Sequence, residues 1–185
     1  MIDINIGGLY AARKPVVIRT VLGSCVAVCL HDAHHGVGGM NHFLLPRPVS
    51  GDPGLSSRYG IHAMEVLINR IMRLGGKRSR LRAKLFGGAN VLSARLPSPT
   101  VAEKNAAFAI SFLETEGIPL TSYRIGGNSP LEVRFTASTA RTLVRALPNL
   151  TVRGMEARAD RYRAAVAEEL EQPGDDAVTW FEEAE

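Results

Sequence analysis

The sequence predicts one mixed α/β domain followed by a C-terminal helix and an acidic tail. Its 185 residues are 45% hydrophobic and 22% charged, which is the composition of an ordinary globular protein. Short β-rich segments alternate with segments of helical periodicity, and no linker or repeat interrupts them. Residues 1–155 carry 19 Lys and Arg against 8 Asp and Glu, whereas residues 156–185 carry 3 against 10. We therefore expect a domain over 1–155 and a helical, acidic, partly disordered extension over 156–185.

The first elements are predicted to be β-strands. Segments 16–20 and 26–30 are rich in β-branched residues and flank the small residues at 23–25, which indicates either a tight turn between two strands or a strand entering a strained elbow. A third strand is expected over 37–45. The three prolines of 46–54 indicate a loop.

Two main helices and several strands are predicted in the remainder of the domain. Apolar residues recur at helical spacing in 61–74, and alternation over 81–85 favours a half-buried strand. Thr100 and Glu103 form a capping-box pattern, which predicts the start of a second helix that ends at Gly117. A strand over 118–123, a turn at 126–128, a hairpin of 131–136 with 142–147, and a final helix over 156–170 complete the chain.

Composition also bounds the compartment and the partners. No apolar run reaches the roughly 18 residues of a membrane span, and the N-terminus lacks the pattern of a signal peptide. Cys25 and Cys29 are too few and too close to form a disulfide framework. We therefore expect a cytoplasmic protein without membrane insertion.

A run of basic residues with no acid among them lies between positions 70 and 84. Nucleic acid is a weak interpretation, because the run lacks aromatic residues and no binding motif is present. A solvated face and a surface for an acidic protein both remain open. The run consists of Arg70, Arg73, Lys77, Arg78, Arg80, Arg82 and Lys84.

Cys25 is the candidate nucleophile. Gly23 and Ser24 before it allow a tight turn and let a substrate carbonyl approach backbone N–H groups, which could stabilise an oxyanion. A buried structural cysteine is the alternative, and Cys29 fits that description within its apolar strand.

His42 is the candidate base, because it lies in a predicted strand just after two glycines, where a cleft could admit substrate. His31, His34 and His35 are interpreted as surface residues of a polar turn. A metal site built from these three histidines with the two cysteines is disfavoured, because a strand would hold the two sulfurs too far apart for one zinc ion. We therefore expect no metal, and acyl transfer by Cys25 with His42 as base needs no organic cofactor.

The motif Leu-Gly-Ser-Cys at 22–25, with His42 following the cysteine by 17 residues, resembles the chemoreceptor glutamine deamidase family (CheD). The similarity continues through segments 83–90 and 126–128 and spans about residues 1–150. It implies a layered α/β sandwich with a mixed β-sheet. It also implies a cysteine-dependent protein-glutamine glutaminase of the cytoplasm that converts glutamines of methyl-accepting chemotaxis receptors to glutamate.

The resemblance assigns the nucleophile to Cys25 and the base to His42, with Gly23 and Ser24 on the substrate side. The family's catalytic threonine lies six residues before the cysteine, where this chain has Arg19. Thr20 is the replacement. Since neighbours on a strand point to opposite faces, we expect a bulge or local shift to be needed to turn Thr20 inward.

Two other functions stay open at this point. One is a chemotaxis adaptor that binds receptors or a chemotaxis phosphatase with weak or no catalysis, as the arginine at position 19 would favour. The other is a cysteine amidase that acts on small molecules.

Overall fold

The computed structural model describes residues 1–45, 53–90, 99–148 and 152–171, in which nine strands form two sheets. The first sheet has the order β1-β3-β8-β9, and the second has the order β2-β5-β4-β6-β7. The strands are β1 (Ile2–Asp3), β2 (Leu9–Ala12), β3 (Val17–Leu22), β4 (Val26–Asp32), β5 (Val37–Asn41), β6 (Arg82–Gly87), β7 (Leu120–Ile125), β8 (Leu131–Thr136) and β9 (Thr142–Ala146).

Two helices cover the outer face of the five-stranded sheet, and a third helix ends the described chain. They are α1 (Pro53–Arg73), α2 (Val101–Thr115) and α3 (Val152–Glu171), with a short 3-10 turn at Arg78–Arg80. None of the helices in the described ranges is long and apolar enough to cross a membrane. The expected α/β sandwich is confirmed, with its strands divided between two sheets.

The alternation of side chains along β4 produces two hydrophobic cores. Val26, Val28 and Leu30 face the helices, where they pack with the apolar stripe of α1. Ala27 and Cys29 face the other way and pack against the four-stranded sheet. The layers are therefore sheet, sheet and helices, and β4 is buried on both sides.

Most of the predicted elements are present. The capping box forms, since the Thr100 hydroxyl accepts from the Glu103 N–H and the Glu103 carboxylate accepts from the Thr100 N–H. Gly117 follows the helix at a φ of +63°, a conformation that glycine adopts without strain. The hairpin of β8 and β9 pairs as expected.

Several expectations about elements change. β1 and β2 were not predicted, α1 begins at Pro53 rather than at position 61, and α3 begins at Val152 rather than at position 156. The strands before and after 23–25 belong to different sheets, so this turn carries the chain from one sheet to the other. The loop predicted at 46–54 falls mostly outside the described residues, as does the tail from 172 onward, and the division at residue 155 stays a prediction.

Candidate active site

The turn at 23–25 is held by hydrogen bonds to its three carbonyl oxygens. In chain order they accept from the Ala89 N–H at 2.9 Å, the Asn105 Nδ2 at 2.9 Å and the Gly88 N–H at 2.8 Å. Gly87 lies directly against the turn, where a Cβ atom would stand 2.3 Å from the last of these oxygens. Cys25 is thus fixed by its backbone, together with Gly23 and Ser24, whose substrate-side role stays a prediction.

The backbone of His42 is clamped just after β5. Its N–H donates to the Gly8 carbonyl at 2.9 Å, and its carbonyl accepts from the Gly7 N–H at 2.7 Å. Val26 pairs with Phe43 in the same antiparallel register as β4 with β5, so His42 lies opposite Ala27. Directly opposed residues share a face, and so do residues two apart, which places His42 and Cys25 on the face between the sheets.

Thr20 also reaches this face, from the four-stranded sheet. Its Oγ1 lies 2.7 Å from His42 Nδ1 and 2.8 Å from the Ile4 carbonyl oxygen. A carbonyl can only accept, so the single hydroxyl proton goes to Ile4, and the hydroxyl oxygen accepts from Nδ1–H. This arrangement places the ring proton on Nδ1 and leaves the lone pair on Nε2.

The expectation that Thr20 needs a bulge to face inward is wrong. The pairing of β3 with β8 runs without a shift from Val17 to Leu22, and regular alternation buries Thr20. Arg19 faces outward instead, where its guanidinium contacts the Asp3 carboxylate at 3.2 Å and that of Glu132 at 3.4 Å.

Burial keeps both candidate groups neutral. It raises the pKa of the Cys25 thiol from 9.0 to about 12, and the charge of Arg163 opposes this rise. Burial lowers the pKa of His42 to about 4 against the influence of the Ile4 carbonyl. Among the described residues Nε2 has no hydrogen-bond partner, so thiol and imidazole are not hydrogen-bonded to each other in this state.

Comparison with known proteins places this chain in a family. Residues 44–146 match the family model described as CheD chemotactic sensory transduction. The chain belongs to the CheD family. It is 41% identical over 162 residues to the probable chemoreceptor glutamine deamidase CheD 1 of Dechloromonas aromatica, covering 87% of this chain and 80% of that protein.

Another CheD relative is similar over a comparable length. The probable chemoreceptor glutamine deamidase CheD 1 of a Ruegeria species is 46% identical over 166 residues, covering 90% of this chain and 87% of that protein. Among solved structures, the hypothetical protein YfiH of Bacillus licheniformis matches with a TM-score of 0.41 and 16% identity, covering 64% of this chain and 49% of that one.

Sequence reasoning about this CheD chain missed Asn105. The side chain is fully buried, donates from Nδ2 to the Ser24 carbonyl and accepts from the Leu45 N–H at 2.8 Å. It thereby ties the turn of Cys25 to the segment that follows His42. The sequence feature that could have revealed Asn105 is its position among the alanines on the apolar face of the second helix. A polar side chain on such a face needs a hydrogen-bond partner.

Two of the remaining histidines make hydrogen-bond contacts of their own. His31 is not a surface residue as expected: it is buried in β4 with its Nε2 3.1 Å from the Ser138 carbonyl. The His35 ring lies 2.7 Å from the buried Asp32 carboxylate. Within the described residues no group of three or more His, Cys, Asp or Glu side chains is placed to hold a metal ion.

The basic run at 70–84 does not form one uniform surface. Arg78 pairs with Glu65 at 2.6 Å and with Glu116 at 2.5 Å, two acids that are distant in sequence. Lys84 points between the sheets and donates from Nζ to the Ala140 carbonyl at 2.7 Å. Arg78 and Lys84, two of the seven basic residues of this run, are therefore engaged in contacts within the protein.

Proposed function

We propose that this chain is a cytoplasmic chemoreceptor glutamine deamidase that hydrolyses the side-chain amides of receptor glutamines to carboxylates. Its CheD relatives are named for this activity. We assign Cys25 as the nucleophile and His42 as the general base, with Thr20 as the residue that positions the imidazole.

The hydrogen-bonded chain from His42 through Thr20 to Ile4 carries the assignment. It supports a basic Nε2 by placing the ring proton on Nδ1. A buried nitrogen without a partner is unfavourable for folding, so its presence on the same face as a cysteine suggests a function. This is the logic of a nucleophile, a base and a residue that orients the base.

The reaction proceeds by acyl transfer. His42 Nε2 takes the thiol proton while the sulfur attacks the carboxamide carbon, and backbone N–H groups at 23–25 stabilise the oxyanion. The C–N bond then breaks as the imidazolium returns its proton to the departing ammonia, which leaves a thioester. Water attacks this thioester with its proton passing to His42, and glutamate and the Cys25 thiol are released.

The neutral Cys25 thiol and His42 imidazole fit a nucleophile that loses its proton only when substrate binds. With the thiol pKa near 12 and the imidazole pKa near 4, the proton stays on sulfur in the closed state. Desolvation is the first cause of both shifts, so any opening of the site brings both pKa values toward their ordinary range. We infer that substrate binding and thiol activation are coupled.

Mass spectrometry of a receptor cytoplasmic domain incubated with the protein tests the proposal. Each converted glutamine should gain about 1 Da, and Cys25→Ala and His42→Ala should abolish the gain. Cys29→Ala is the matched control, since this second cysteine packs between the sheets, and it should retain activity. Full activity of Cys25→Ala would overturn the mechanism.

The same assay separates the other functions. An adaptor that binds receptors or a chemotaxis phosphatase would bind without any mass gain, and a small-molecule amidase would act on free glutamine but not on the receptor. Arg19, which motivated the adaptor, lies on the outer face in ion pairs. It therefore leaves the Thr20 contact with His42 unaffected.

A further inference from the structure

We propose that α3 is a built-in cover of the Cys25 site, seated in the groove through which a helical segment of the protein substrate reaches the cysteine. The inference rests on the proposed function for the identity of the substrate. Its structural part, a helix that blocks Cys25, stands on contacts that do not depend on the reaction.

One face of α3 packs against the core between the sheets. Ala159 is 5% exposed and Val166 is 7% exposed, and the half-buried Tyr162 lies between them at helical spacing. Ala159 belongs to the same buried cluster as Cys25, with Tyr162 packed against it. The helix therefore closes the core that holds the candidate nucleophile.

Tyr162 connects the cover to the clamp of His42. Its ring lies against Gly7, where a Cβ atom would stand 2.7 Å from the tyrosine oxygen. Gly7 in turn donates its N–H to the His42 carbonyl. On its other side the ring packs edge-on against Tyr59 near the start of α1, with the centroids 6.4 Å apart.

The consequence of this cover is an enclosed nucleophile. Cys25 is only 4% exposed, and Arg163 of α3 is near enough for its charge to act on the thiol. A glutamine side chain borne by a folded protein cannot reach a sulfur enclosed in this way. In the proposed cover, the substrate therefore displaces α3 to reach the cysteine.

The character of α3 indicates what replaces it. The groove already holds a helix, and the absence of a side chain at Gly7 makes room for the Tyr162 ring of that helix. Among the α3 side chains that the structure describes, the buried apolar ones are Ala159 and Val166, whereas α1 buries Met64, Leu67, Ile68 and Ile71 completely. Elements with few buried apolar contacts open most readily.

The test compares two alanine-to-arginine changes in the full-length chain. Ala159→Arg places a charge on the buried face, and Ala164→Arg makes the same change on the exposed face of α3. We expect Ala159→Arg to raise the rate of Cys25 alkylation by iodoacetamide roughly tenfold or more, because the open fraction limits this reaction. Ala164→Arg should match the native rate. Equal rates for the two variants would overturn the cover.

Cys29 reports on the fold in the same experiment. It is buried between the sheets, so peptide mapping should find it unmodified if only α3 is displaced. Should Cys29 of Ala159→Arg react as well, the domain has opened as a whole. In that case Tyr162→Ala, which removes the ring over Gly7, is the deciding variant. Faster alkylation of Cys25 with Cys29 still unmodified supports the cover, and an unchanged rate for Cys25 refutes it.

Deamidation kinetics test the shared groove separately. If α3 and the substrate compete, the native protein binds substrate only in the fraction of molecules in which α3 is displaced. Ala159→Arg increases that fraction, so it should lower KM and leave kcat unchanged. An unchanged KM would reject the shared groove. Absence of deamidation in every form, with faster alkylation of Ala159→Arg, would reject the proposed function and retain the cover.

Discussion

Replacing Thr20 with valine should separate the positioning of His42 from the packing around it. Valine has nearly the shape of threonine, so the space between the sheets stays filled. The variant lacks Oγ1, and with it the bond to the Ile4 carbonyl at 2.8 Å and the contact with Nδ1 at 2.7 Å. The imidazole can then rotate or change tautomer, either of which removes the basic Nε2 from the face of Cys25.

The magnitude follows from the groups left behind. Leaving a buried donor or acceptor unpaired costs about 1–3 kcal/mol. Two such groups near Thr20 give an expected loss of roughly 2–6 kcal/mol in the free energy of unfolding. Loss of an oriented general base should lower kcat on the order of 100-fold.

Urea unfolding and deamidation of a receptor domain measure the two effects. Thr20→Ser is the matched control, because it keeps the hydroxyl and loses only a methyl group. We expect the serine variant to retain most of kcat and its dependence on pH. A valine variant as active as the serine variant, whether both are active or both are impaired, would refute the positioning role.

Three further predictions concern the framework of the site. The Arg145 guanidinium and its neighbours lower the pKa of Glu132 from 4.5 to about 2. The stability contributed by Glu132 is therefore complete above pH 4.5 and lost as the pH falls toward 2. Glu132→Gln should not show this loss of stability between pH 4.5 and 2 when its acid unfolding is followed by circular dichroism. Asn105→Leu should lose about 2–6 kcal/mol of unfolding free energy in urea and lower kcat, since two backbone groups lose their partner. Gly87→Ala, at a φ of +107° and against a carbonyl oxygen, should lower Tm more than Gly117→Ala, which is at +63° with open space.

Local signals predicted much of the fold. The capping box at Thr100 and the hairpin of β8 with β9 depend on residues close together in the chain, and both are present. β1 and β2 depend on distant partners: Ile2 pairs with Ile18, and Leu9 pairs with Asn41. Such short strands carry little periodicity of their own, so sequence patterns do not reveal them.

The candidate site also contains residues that local signals predict and residues whose placement depends on distant partners. Cys25 and His42 could be named from a motif, and alternation correctly separates Arg19 from Thr20. Alternation does not say which of the two faces inward, because that depends on partners from elsewhere in the chain. Arg19 finds Asp3 and Glu132 on the outer face, and this leaves Thr20 for His42.

The proposed catalytic set spans both sheets, which makes their packing part of the chemistry. Thr20 belongs to the four-stranded sheet, whereas His42 follows β5 of the five-stranded sheet. A hydrogen bond is lost when its heavy atoms stand about 3.6 Å apart, so the separation of the sheets must be held to within about 1 Å of the present 2.7 Å contact. Ile18, Leu22 and Phe135 fill that separation and are fully buried. These apolar side chains therefore support the basicity of Nε2, because without their spacing Thr20 could not hold the proton of His42 on Nδ1.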